Sequence, residues 1–303
     1  MSVATLLSRI TGFARMWATA LALGAGAVAS AYNVANNVPN MIFKLVAGGI
    51  LSSLFIPTYM DVREQRGDDE AWRFVSHIFN ICLVALGLVA VIGTVFPAPF
   101  IWTQTFKMSA DTAGLVREPA EFFFRFFAIQ VVVYGAGMVI QGILNAQRKY
   151  LWTALGPVFN NLTVIATMLY VAAQPRLDTK TLMVLAIGTS LGVVVMFAVM
   201  IPSLGKSRIK YKFELGLGDP AIRKMLKLAI PTLIYVITNL ITVSFRNASA
   251  LSASPSGPSV LSYAWTWYQL PYGILAVALA TAMFTELSQY ASKKDMVGFT
   301  ATL

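Results

Sequence analysis

The chain has 303 residues and a formal net charge of +10; 57% of it is apolar and only 12% is charged. A soluble domain carries about 45–50% apolar and about 25% charged residues, so composition excludes a soluble globular or a disordered protein. It predicts an all-α polytopic membrane protein. Several apolar runs exceed the ~18 residues that mark a spanning helix, and backbone groups inside lipid must be bonded within their own segment. The chain holds one His (His77) and one Cys (Cys82), five residues apart in an apolar run. That excludes an internal disulfide and a Cys/His metal cluster. No paired-Asp motif stands ready to hold a divalent metal at a pyrophosphate. No cofactor and no enzymatic reaction are expected.

In chain order, eight spans are predicted at roughly 3–24, 29–59, 74–103, 119–147, 151–173, 180–204, 228–253 and 259–288. Loop charge orients them. Loops after even-numbered spans hold fourteen Lys and Arg, among them Arg63, Arg73, Arg148, Lys149 and Lys212. Loops after odd-numbered spans hold four: Lys107, Arg117, Arg176 and Lys180. The basic loops and the N-terminus are therefore expected in the cytoplasm. This asymmetry accounts for the net charge without nucleic-acid binding. Three parts follow: a six-helix lobe over 1–205, a basic linker over 206–227, and the first two helices of an incomplete second lobe over 228–303. Within the linker, Asp219 and Pro220 form an N-cap and first position for a short amphipathic helix.

Five cations remain, all inside predicted spans: Arg9, Arg15, Lys44, Arg125 and Arg246. Each costs about 2.5–3.5 kcal/mol near the bilayer centre on insertion scales. Glu121 lies four residues before Arg125, so those two can pair on one helix face. The other four have no such mate. The cheaper arrangement turns them toward a shared aqueous cavity, which would attract anions. Arginine suits phosphate through its planar fork.

The spans carrying these charges are irregular. Gly12 lies between Arg9 and Arg15, and Ser8 precedes it by four residues. Arg9 and Arg15 diverge by about 120° on a straight helix, and a bend at Gly12 would bring them closer. Span two carries Asn33, Asn36, Asn37 and Asn40 around Pro39. Broken polar helices line substrate paths in transporters, although interhelical hydrogen bonding accounts for such asparagines equally well. Gly48–Gly49 and Ser52–Ser53 permit close helix contact or a hinge. Spans seven and eight echo spans one and two: SAYNVANNVPNMI at 30–42 resembles LSYAWTWYQLPYGI at 261–274. Pro39 then aligns with Pro271, a second candidate helix break. The repeat unit is about six spans, so the chain reads as an incomplete transporter whose last residues begin a ninth helix.

The stretches SRITGFAR at 8–15, NVPNMIFKLVAGGILSSLFIP at 37–57, GILNAQRKY at 142–150 with GPVFNNL at 156–162, and QLPYGILAVALATAMFTELSQ at 269–289 resemble the MurJ (MviN) family of lipid II flippases. That family belongs to the multidrug/oligosaccharidyl-lipid/polysaccharide exporter superfamily. The resemblance implies two lobes of about six spans each plus a C-terminal pair. It implies transport of an undecaprenyl-pyrophosphate-linked peptidoglycan precursor between leaflets of the bacterial plasma membrane. Transport would use alternating access around an arginine-rich cavity. Arg9 and Arg15 match the two arginines of the family's first helix, Ser8 the adjacent serine, Asn40 the asparagine of its PN motif, and Lys44 one of a basic pair. Met16, Ser30, Gly48 and Thr266 depart from the family pattern, and Arg246 would substitute for a charge missing near Thr266. Expected partners are the lipid-linked anionic precursor, membrane lipid, the missing C-terminal half and a cell-wall synthesis complex. Alternatives are a multidrug or polysaccharide exporter of the same superfamily, or a non-transporting truncated subunit or scaffold. The exporter would want a buried acid, and apart from Glu121 the first seven spans offer none.

Overall fold

A computed structural model describes residues 2–45, 54–205, 211–272, 283, 287, 290 and 295–302. The described elements are helices: α1 (Ser2–Leu23), α2 (Ala27–Leu45), α3 (Ile56–Arg66), α4 (Asp68–Val95), α5 (Pro97–Thr105), α6 (Ala110–Ala146), α7 (Tyr150–Ala172), α8 (Thr179–Ala198), a short 3-10 turn (Ile201–Leu204), α9 (Pro220–Ala253), α10 (Gly257–Pro271) and α11 (Met296–Thr302). Four of them, α4, α6, α7 and α8 with its 3-10 turn, are long and apolar enough to cross a membrane. The predicted count of eight spans is therefore met in part. Arg9 and Arg15 in α1, and four asparagines and a lysine in α2, dilute the apolar character of those helices. Much of predicted span eight, and the Gly48–Gly49 and Ser52–Ser53 pairs, lie outside the described residues.

Two compact units divide the chain, Met1–Ser259 and Val260–Leu303. Helix α9 belongs to the first unit, beyond the boundary predicted at 205. Its short amphipathic start and span seven are not separate elements: one helix runs from Pro220 to Ala253. Asp219 caps it as expected, its side chain accepting from the Ala221 N–H at 2.9 Å. Ala221, Ile222 and Met225 in its first turns are buried, which fuses the linker helix with the span that follows.

The first unit holds two apolar clusters. One gathers Leu23, Val34, Ile101, Phe123, Phe124 and Met168. The other gathers Phe55, Phe74, Met138, Phe197, Met200 and Ile222. Helix α6 threads both. Gly137 and Gly188 sit where an added Cβ would overlap Phe197 and Thr167 respectively, so glycine sets the close approach of α6, α7 and α8. The outer faces are apolar: Leu88, Val91 and Val95 of α4 and Ile187 and Leu191 of α8 are at least half exposed. Such surface suits lipid, not water.

Candidate functional site

Helix α1 buries Ala4, Ala18, Thr19 and Leu23, and exposes Leu6, Ile10, Trp17 and Leu21. At ~100° per residue, Arg15 falls on the inward face with Ala4 and Ala18, whereas Arg9 falls about 120° away. The structure agrees: Arg9 is exposed and Arg15 half-buried. Helix α1 passes through Gly12 without interruption. A Cβ there would sit 3.6 Å from Asn161 Nδ2, an ordinary contact. The close neighbour at Gly12 is thus α7, to which α1 is tied. Asn161 Nδ2 donates to Thr11 Oγ1 at 3.0 Å and to the Ser8 carbonyl at 3.3 Å. In this arrangement Ser8 serves through its backbone.

Helix α2 likewise continues through Pro39. Proline removes a backbone donor and crowds the preceding turn. The Asn40 side chain covers part of that turn, donating to the Asn36 carbonyl at 2.7 Å. Its Oδ1 accepts from the Tyr134 hydroxyl of α6 at 3.1 Å. The interhelical role of asparagine is therefore realised at Asn40. Farther along the same helix, Tyr32 OH and Thr189 Oγ1 of α8 lie 3.2 Å apart, and its ring packs edge-on to Phe123 and Phe127. Gln130 Nε2 donates to Ser190 Oγ at 3.0 Å. Tyr32 belongs to one apolar cluster and Tyr134 to the other. Arg15 lies within electrostatic reach of both hydroxyls. It thus stands beside a polar seam between two apolar masses. Among the described residues, no carboxylate oxygen lies within 4.0 Å of Arg9, Arg15 or Arg246. The buried Asn33 Nδ2 has no hydrogen-bond partner among them either.

Arg246 is exposed on α9. Next to it, buried Asn247 donates to Gln104 Oε1 of α5 at 2.6 Å, and Phe245 stacks edge-on with Phe106. The Lys44 side chain lies outside the described residues. Pro271 is the last residue of α10, in the second unit. The expected Glu121–Arg125 ion pair is absent among the described residues; Arg125 is exposed on the surface of α6. Its position near the predicted end of a span lets it reach polar surroundings without a mate.

Sequence reasoning singled out Arg15 and Asn40 but not Tyr32, Tyr134 or Asn161. The available signal was their chemistry: an amide or a hydroxyl in an apolar run needs a partner on another helix. What it lacked was the identity of that partner.

The chain is similar to curated proteins described as "Probable lipid II flippase MurJ" from Rhizobium meliloti (strain 1021), 32% identical over 94% of this chain and 53% of the relative, and "Lipid II flippase MurJ" from Burkholderia cenocepacia, 26% identical over 99% of this chain and 58% of the relative. It spans little more than half the length of these relatives. A solved structure described as "Lipid II flippase MurJ, inward closed conformation" matches with a TM-score of 0.80 at 24% identity, over 97% of this chain and 59% of that one, and shares its fold. The family model described as lipid II flippase MurJ matches residues 19–303, and the chain belongs to that family.

Proposed function

We propose that the protein is part of a flippase for lipid II, carrying the N-terminal lobe and the first hairpin of a second. It moves a lipid-linked pyrophosphate between leaflets by alternating access, as a transporter and not an enzyme. The basic loops lie in the cytoplasm with the N-terminus. The rest of the transporter comes from the C-terminal half.

One observation carries this reading: Arg15 stands at a polar seam inside an apolar bundle with no described carboxylate beside it. Charges in such settings are costly unless compensated, and a diphosphate supplies the compensation through bidentate hydrogen bonds. Arg9, Lys44 and Arg246 extend the positive field along the substrate's route, and Ser8 and Asn40 shape its wall. Gly12, Pro39 and Pro271 supply the places where helices yield during the cycle.

The test is lipid II translocation in proteoliposomes holding the full transporter, with complementation of cells depleted of their own flippase. Changing Arg9 and Arg15 to Ala abolishes both activities while the protein still inserts and folds. Wild-type translocation by that variant removes the role assigned to the cations. Transport of a cationic drug in place of lipid II would favour the exporter alternative.

A further inference from the structure

One face of α4 has a second polar cluster, remote from Arg15 in chemistry. Arg73, Ser76, His77 and Asn80 follow at spacings of three, one and three residues, so they share one side of the helix. The segment 211–219 lies against them. It has no regular secondary structure, yet Tyr211, Lys212 and Glu214 are each hydrogen-bonded to that face. Asn80 is fully buried. Its Nδ2 donates to the Lys212 and Glu214 carbonyls, both at 2.9 Å. Its Oδ1 accepts from the Tyr211 hydroxyl at 2.6 Å. Ser76 Oγ accepts from the Lys212 N–H at 3.2 Å. Arg73 Nε donates to Glu214 Oε2 at 3.1 Å. The His77 ring is buried between two carboxylates, 3.5 Å from Glu214 Oε2 and 3.8 Å from Asp219 Oδ2. Gly216 crosses that ring at φ 56°, where any Cβ would overlap the imidazole. Only glycine combines that close approach with that backbone conformation at no steric cost.

An untethered connection would not consume three bonds of a buried amide. A buried side chain whose partners all sit on one segment specifies that segment's position, because losing it strands polar groups on both sides. The segment ends at Asp219, which caps α9 and also faces Arg66 Nη1 at 3.5 Å. We propose that the Arg73–Ser76–His77–Asn80 face is a docking site for residues 211–219, and that this docking fixes where α9 begins. The first turn of α9 and helix α4 then move as one body, and the stretch between them is an arm with a seat, not a free tether. This holds whether or not the protein carries lipid II.

Hydrogen exchange on the intact protein in nanodiscs tests it without substrate. In the wild type, the amides of 211–219 are protected well above an unstructured peptide. Asn80→Ala raises their exchange about tenfold or more, while α7 and the second half of α4 are unchanged. Because Asn80 is buried, that variant is paired with a surface charge swap. Arg73→Glu and Glu214→Arg each loosen the segment several-fold, and the double variant restores protection. Unprotected 211–219 amides in the wild type overturn the proposal. So does exchange of this segment that neither Asn80→Ala nor the single charge reversals change.

Discussion

Two polar clusters in this molecule treat positive charge in opposite ways. At the arm, Arg73 meets Glu214 and Glu70, and Arg66 meets Asp219. At the seam, Arg15 lies within electrostatic reach of two tyrosine hydroxyls and beside no described carboxylate. In the first cluster each cation is already paired, and the pairs join parts of the protein to each other. The second holds a charge with no carboxylate beside it among the described residues, a costly state in an apolar bundle. A cation with internal mates reads as structural, and on the proposed function one without them is the candidate for an external anion.

The largest expected effect separates the two. In the full transporter, Arg15→Ala lowers lipid II translocation by at least about tenfold, the scale of a lost charge-assisted contact to phosphate. It leaves thermal stability unchanged or slightly raised, because a charge with no described carboxylate beside it is removed from an apolar setting. Arg73→Ala does the reverse, loosening 211–219 with transport-site binding intact. Flux measurements alongside melting curves check both, and equal loss of flux from the two variants would erase the distinction.

Next in size is Asn80→Ala. It strands two carbonyls and a hydroxyl, each deletion worth about 1–3 kcal/mol where burial denies water. A clear drop in melting temperature is expected. Tyr134→Phe removes one interhelical bond, to Asn40, and costs about 0.5–1.5 kcal/mol. Its stability loss should disappear in an Asn40→Ala background, because the two side chains share that bond.

The sequence made the helical class legible, since apolar runs of spanning length leave few other solutions. It also made the α9 cap legible, because Asp followed by Pro has a local reason to start a helix. Arg15 was visible as a charge without a mate on its own helix. The limits have one physical origin, that partners lie far apart in sequence. Arg125 and Glu121 satisfy the i,i+4 rule, yet the arginine turns outward without pairing. The divergence of Arg9 and Arg15 on α1, by contrast, followed from the helical period, and the structure leaves Arg9 exposed and Arg15 half-buried. His77 stands in an apolar run with nothing local to mark it. Its neighbours Glu214 and Asp219 lie more than a hundred positions away, so spacing carries no sign of the seat it forms.

The smallest effect is electrostatic and has a definite sign. The hydrogen bond from Arg73, followed by the contact with His77, holds the Glu214 carboxyl below the usual glutamate range. A depressed carboxylate contributes stability that is fully present above its unfolded value and is lost as pH falls through the folded one. The Glu214 contribution to docking of 211–219 should therefore be constant from neutral pH down to the ordinary glutamate range. Below that range, protection corrected for intrinsic exchange should decline. Glu214 is exposed to solvent, so screening keeps the change small and added salt shrinks it further. Glu214→Gln removes this acid-dependent component and leaves the Asn80 bonds in place. The arm of that variant should stay docked with a flatter acid profile. An acid profile identical to wild type would show that the arm is held by the buried amide alone, with the surface charges as bystanders.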